Sequence, residues 1–94
     1  MKRQEIINEI IACLTKPGAK RIAIFGSFAR RQESAASDID ILVEFVGGVS
    51  LLSLVRLERE LSERLGWKVD LLTESSISPY IMENIKDELE VIYG

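Results

Sequence analysis

Histidine is absent from the 94 residues of this sequence, and cysteine occurs only once, as Cys13. Without histidine there is no His-based catalytic triad, no His acid–base chemistry and no His-ligated zinc site. A single cysteine excludes an internal disulfide bond and a cysteine-cluster metal site. We expect Cys13 to be a small buried hydrophobic residue on a helix rather than a reactive thiol.

Long apolar runs and an excess of positive charge are also missing. No stretch reaches the roughly 18 consecutive apolar residues of a membrane helix, and the N-terminal apolar residues are interrupted, unlike those of a signal peptide. We therefore expect a cytoplasmic protein with no membrane partner. The 12 basic and 15 acidic residues give a net charge of −3, which argues against nucleic acid as the partner of the whole surface.

The length and the 47% content of hydrophobic residues are typical of one globular domain, which we assign to residues 1–94. A chain of this size builds a modest core, so a homo-oligomer or a protein partner is left open.

Helical and strand patterns alternate along the chain. Apolar residues at helical spacing predict a helix over residues 6–14, and Lys16-Pro17-Gly18 ends it. Ser50 is a suitable N-cap for a long helix that ends at Gly66. The other predicted elements are strands over residues 21–25, 38–45 and 67–73, a helical turn or two within residues 28–32, a short helix over residues 79–85 and a small strand over residues 90–93.

This order predicts an α/β domain with two or three layers. The apolar stripe expected to bury the long helix consists of Leu51, Leu54, Val55, Leu57, Leu61 and Leu65.

Gly26-Ser27 follows the first predicted strand and precedes sequence that is compatible with a helix. Backbone N–H groups at such a turn can bind phosphate oxygens, and glycine lets a ligand come close. Ser27 can add a hydroxyl donor, and Arg30 can add a positively charged guanidinium group that donates two parallel hydrogen bonds. The alternative is that Gly26-Ser27 only forms the turn that ends the strand, with no ligand bound there.

Asp38 and Asp40 lie two residues apart on the second strand, so both side chains point to one face. Their hard carboxylate oxygens suit Mg²⁺ or Mn²⁺. Asp70 lies on a third strand that is otherwise apolar, where aspartate is disfavoured. If these two strands are neighbours, three carboxylates crowd together and a divalent cation relieves their repulsion. Solvated carboxylates at a sheet surface remain the alternative.

The combined pattern resembles a known signature. The segments FGSFAR at residues 25–30 and SDIDILVEF at residues 37–45, followed by Asp70, are similar to the motifs of the DNA polymerase beta-like nucleotidyltransferase superfamily. They look most like the minimal nucleotidyltransferases (MNT), the MntA-type antitoxins of prokaryotic HEPN/MNT toxin–antitoxin pairs. The resemblance extends over residues 22–93. Phe28 and Arg31 depart from it, and both could change the nucleotide pocket.

The resemblance implies a nucleotidyltransferase fold, a small mixed β-sheet with helices packed mainly on one face. It implies that ATP binds at Gly26, Ser27 and Arg30. It also implies that Asp38, Asp40 and Asp70 bind two Mg²⁺ ions, with Mn²⁺ as the alternative, and that the three aspartates carry the catalysis. AMP would then pass to a hydroxyl of a partner protein, a tyrosine of a HEPN-type toxin.

Two other functions stay open at this stage. The protein could neutralise its toxin by binding alone, without catalysis, or it could add nucleotides to an RNA end. The net charge of −3 and the few residues after the third strand, too few for a separate helical domain, argue against the RNA substrate.

Overall fold

A four-stranded sheet organises the protein. The structure, a computed structural model, describes residues 2–29 and 38–94. The elements are α1 (Arg3–Thr15), β1 (Ala19–Phe25), α2 (Gly26–Ala29), β2 (Ile39–Phe45), α3 (Leu51–Leu65), β3 (Val69–Leu72), α4 (Pro79–Ile85) and β4 (Glu90–Tyr93), with 3₁₀ turns at Glu74–Ser76 and Lys86–Glu88.

The strands lie in the order β3-β2-β1-β4, and the sheet is mixed as predicted. β1 is antiparallel to both β2 and β4, whereas β2 and β3 are parallel. Parallel strands need a crossover connection, and α3 supplies it. The small C-terminal strand predicted at residues 90–93 is therefore confirmed as an edge strand of this sheet.

The long helix α3 begins and ends where its local sequence predicts. The Ser50 hydroxyl accepts a hydrogen bond from the backbone N–H of Ser53, which satisfies one of the free donors of the first turn. Gly66 adopts the left-handed conformation just past the last turn, and its N–H donates to the carbonyl of Ser62.

The main core lies between one face of the sheet and the helices α1 and α3. β2 contributes Ile39, Ile41 and Val43 to it, and β3 contributes Val69 and Leu71. A second, smaller cluster covers part of the opposite face, where α4 and the flanking turns pack; its buried members are Phe25, Leu42 and Ile77. Helices thus cover mainly one face, as the resemblance implied.

Part of the predicted stripe of α3 is wrong. Leu54, Leu61 and Leu65 are buried, but Leu51 is 73% exposed and Val55 is 45% exposed. The helix contacts β3 and α1, so the side chains of its first two turns that point away from these elements stay in solvent.

Cys13 is buried in the core, as predicted. Burial raises the pKa of its thiol, because the thiolate loses hydration. Within residues 2–29 and 38–94, no helix combines the length and the apolar character needed to cross a membrane.

The outer edge of β3 is closed by side chains of α3. The backbone N–H of Leu71 donates to Oε2 of Glu58 at 2.8 Å, and that of Val69 donates to Oγ of Ser62 at 3.1 Å. An edge strand otherwise presents unpaired N–H groups. These two bonds fix β3 to the helix that precedes it.

We expect Glu58→Ala to lower the free energy of unfolding by about 1–3 kcal/mol, because it leaves the N–H of Leu71 without its charged acceptor. Urea unfolding measures the loss, and amide exchange at Leu71 should become faster. Glu63→Ala, an exposed position on the same helix, is the control, with an expected change within about 0.5 kcal/mol. Equal losses in the two variants would contradict this role for Glu58.

Candidate active site

Asp40 and Asp70 lie directly opposite each other on the parallel strands β2 and β3. Neighbouring strands are about 4.8 Å apart, so the two side chains lie side by side on one face of the sheet. Both residues are half-buried, as is Asp38, which immediately precedes β2. The condition set in the sequence analysis, that these two strands are neighbours, is therefore met.

The core forces this arrangement. Ile39 and Val69 pair in the ladder next to the aspartates, and both are buried among α1 and α3. Since successive side chains of a strand point to opposite faces, the aspartates that follow Ile39 and Val69 must point away from that core.

The Asp40 carboxylate occupies the space where a side chain at Gly26 would lie. The φ of Gly26 is +73°, in the left-handed region that favours glycine. A Cβ atom at this position would overlap Oδ2 of Asp40 and would lie 3.4 Å from Cγ. The sequence suggested that glycine admits a ligand; the structure shows that its missing side chain admits the Asp40 carboxylate. The backbone of Gly26 and the Asp40 carboxylate are thereby in direct contact.

Lys68 is a neighbour of the aspartates that the sequence-based assignment left out. Its Nζ lies 3.8 Å from Oδ2 of Asp38, and both side chains are substantially exposed. The Lys68 carbonyl also accepts a hydrogen bond from the N–H of Ile39. The alternation along the strand predicted over residues 67–73, which puts Lys68 on the same face as Asp70, was the available signal.

The aspartates do not by themselves form a closed metal site. Across the described ranges, no group of three Asp, Glu or Cys side chains is arranged to hold a metal ion. Mg²⁺ commonly takes one or two carboxylates and completes its shell with water and substrate phosphates. The paired carboxylates of Asp40 and Asp70 suit that mode of binding.

Phe28, which the sequence analysis named as a departure from the family pattern, is a core residue. Its side chain is 1% exposed and belongs to the main core. The ring meets that of Trp67 edge to face, with centroids 6.4 Å apart. Two further predicted features, the Ser27 side chain and Arg30, lie outside the described residues, as does Arg31.

We expect Gly26→Ala to turn the Asp40 carboxylate away from the turn, because the new methyl group takes its place. A crystal structure of the variant would show the reorientation. Gly47→Ala is a matched control, since Gly47 has a φ of +77° with open space at its Cβ position. Both variants should lose about 1–2 kcal/mol from the left-handed backbone. An unmoved Asp40 in Gly26→Ala would contradict the contact.

Comparison with known proteins gives the site its context. The family model described as "Nucleotidyltransferase domain" matches residues 6–92. The chain is 53% identical over 88 residues to "Putative protein adenylyltransferase MJ0435" of Methanocaldococcus jannaschii, and the alignment covers 94% of this chain and 95% of that protein.

Two solved structures share the fold. One is described as a toxin–antitoxin with AMP-PNP; the similarity has a TM-score of 0.85 at 27% identity and covers 94% of this chain and 73% of the other. The second is a tri-AMPylated Shewanella oneidensis HEPN toxin in complex with MNT antitoxin, with a TM-score of 0.82 at 25% identity, covering 99% and 73%. The resemblance carried by the glycine–serine turn and the aspartates is confirmed: this chain belongs to the nucleotidyltransferase domain family.

Proposed function

We propose that this protein transfers AMP from ATP to a tyrosine hydroxyl of a HEPN-type toxin and thereby acts as its antitoxin. The observation that carries the proposal is the contact between Gly26 and the Asp40 carboxylate, with Asp70 opposite Asp40 on the next strand. Support comes from the adenylyltransferase name of the relative and from the AMPylated toxin in a related complex.

The nucleotide is assigned to the turn that begins at Gly26. The backbone N–H groups of Gly26 and Ser27 are the donors for phosphate oxygens, and Arg30 is the proposed cationic partner. The AMP-PNP complex of a related structure supports ATP as the substrate class.

Asp38, Asp40 and Asp70 are the residues that would hold Mg²⁺, with Mn²⁺ as the alternative. The donor set fits, because carboxylate oxygens are hard ligands and Gly26 leaves the Asp40 carboxylate in contact with the phosphate-binding turn. Two bound ions would neutralise charge on the triphosphate and stabilise the entering and leaving oxygens.

In the proposed reaction the tyrosine oxygen forms a bond to the α-phosphorus, and the bond from that phosphorus to the bridging oxygen breaks. Pyrophosphate leaves with the electron pair of this bond. We assign to Asp70 the role of accepting the tyrosine proton. The resulting phosphodiester on the toxin is the AMP modification.

The partner and the location follow from the same proposal. The net charge of −3 favours encounter with a basic partner, such as a nuclease whose surface attracts RNA. ATP and Mg²⁺ are plentiful in the cytoplasm, which we propose as the site of action.

A non-catalytic antitoxin is the second candidate. It is favoured by the lack of a three-ligand metal group among residues 2–29 and 38–94 and by the ion pair that engages Asp38. In that case toxin binding alone would neutralise the partner, and the carboxylates would be dispensable.

We expect Asp40→Asn and Asp70→Asn each to lower the rate of AMP transfer by a factor of about 100 or more, the order of magnitude for loss of a group that acts in the transition state. The melting temperature should stay nearly unchanged. Removing one carboxylate from a repelling cluster does not destabilise the fold. Mass spectrometry of a HEPN protein from the same genome, incubated with ATP and Mg²⁺, measures the AMP units added.

Asp87→Asn is the matched control, because it makes the same chemical change at an exposed position in the turn before β4. Gly26→Ala should lower transfer and Gly47→Ala should not. If the double variant of Asp40 and Asp70 still neutralises the toxin fully in cells, binding alone is the function and the catalytic proposal is wrong.

A further inference from the structure

Arg3, in the first turn of α1, connects three elements that are distant in sequence. Its Nη1 donates a hydrogen bond of 2.6 Å to the carbonyl oxygen of Phe28 in α2. Its guanidinium carbon lies 4.5 Å from the centre of the Phe28 ring. On its other side, Nη2 lies 3.5 Å from Oε2 of Glu90 on β4, and the Arg3 side chain is only 17% exposed.

The contact to the Phe28 carbonyl matters because it joins α1 to the segment that starts at Gly26, although Arg3 and Phe28 are 25 positions apart in the chain. The Phe28 side chain is buried in the main core, so both its carbonyl and its ring are held by groups distant in sequence. A hydrogen bond from a charged donor is also among the stronger ones.

Gly26 and Phe28, two residues apart in α2, are therefore held by different parts of the protein. Gly26, at the start of α2, lies against the Asp40 carboxylate. Two residues later, Phe28 is fixed through its carbonyl by Arg3 and through its ring by the core. The ring of Trp67, just before β3, completes the support on the core side.

We infer that Arg3 is a positioning residue for nucleotide binding: by holding the Phe28 carbonyl, it fixes the backbone of Gly26–Ala29 in the geometry that receives the phosphates. This inference rests on the proposed function, which assigns the nucleotide to that turn. Arg3 itself does not touch the reacting atoms; it acts through Phe28. Nothing in the local sequence around Arg3 indicates this role.

A purely structural role is the competing explanation, since the same side chain also joins α1 to β4 through Glu90. The two explanations differ in what they predict for ATP. A structural link lowers stability without changing nucleotide affinity at temperatures well below unfolding, whereas a positioning residue changes the affinity at those temperatures as well.

The test uses Arg3→Met, which keeps an unbranched apolar stem over Phe28 but cannot donate a hydrogen bond. We expect the dissociation constant for ATP in Mg²⁺, and the KM for ATP in AMP transfer, to rise about tenfold, a change that corresponds to about 1.4 kcal/mol. The kcat should stay within about twofold, because the aspartates are untouched.

Arg3→Lys is the conservative variant, since an ammonium group can still donate to the carbonyl but without the planar fork of arginine. Its KM for ATP should rise only about threefold, giving a graded series with Arg3→Met. If Arg3→Met fails to fold, Arg3→Lys carries the test by itself, and an unchanged KM in Arg3→Lys then overturns the inference.

Two controls separate positioning from stability. Ile10→Val removes a buried methylene from the same helix and should lower the melting temperature while leaving the KM unchanged. Glu90→Gln keeps the donor to Phe28 and weakens the link to β4, so its KM should also be unchanged. Equal rises in KM for Arg3→Met and Ile10→Val would show a structural role and overturn the inference.

Calorimetry of the wild-type protein with ATP and Mg²⁺ distinguishes failure of the proposed function from failure of the inference about Arg3. If the wild type binds no ATP, the proposed function fails and this inference fails with it. If the wild type binds ATP and Arg3→Met binds it with the same dissociation constant, only the inference about Arg3 is overturned.

Discussion

The alternation of side chains along two parallel strands is the constraint on which the rest of this protein depends. β2 and β3 each bury one set of apolar residues, represented by Ile39 and Val69, against α1 and α3. The residues between them must face the other side, and the register places Asp40 opposite Asp70. A slip of one residue in β3 would turn Asp70 into the core, where an unpaired carboxylate is costly. The core and the carboxylate pair are therefore specified by the same pairing.

The turn after β1 brings the backbone at the start of α2 next to the sheet face that carries Asp40 and Asp70. Gly26 has no side chain where the Asp40 carboxylate lies, and its left-handed φ directs the chain into α2. Charged side chains lie on both sides of this turn: Lys68 pairs with Asp38, and Arg3, which pairs with Glu90, donates to the carbonyl of Phe28. Fixed backbone groups beside acidic side chains are suited to a substrate that brings both phosphate and metal, because each component offsets the charge of the other.

Local chemistry determined much of what the sequence predicted correctly. Ser50 and Gly66 mark the ends of α3 because capping involves only atoms within a few residues of the helix terminus. The alternation of Ile39, Asp40 and Ile41 in β2 predicted for the same reason that Asp40 would face away from the core, since strand geometry has a period of two residues. The apolar and acidic residues of β3 predicted in turn that Asp70 would point away from the core, although its distance from Asp40 depended on which strands pair.

The tertiary structure alone decided which elements face each other, because contacts between distant segments leave no periodic signal in the chain. Leu51 is apolar and lies on an amphipathic helix, yet it is 73% exposed because no described element packs against that side of the first turn. Phe28 is enclosed in the core by Trp67 and Arg3, which come from segments distant from it in the sequence. The sequence by itself determined the helices, the strands and the acidic residues of the site; the strand order and the packing of α1 decided that Asp40 would lie against Gly26 and that Arg3 would hold the turn.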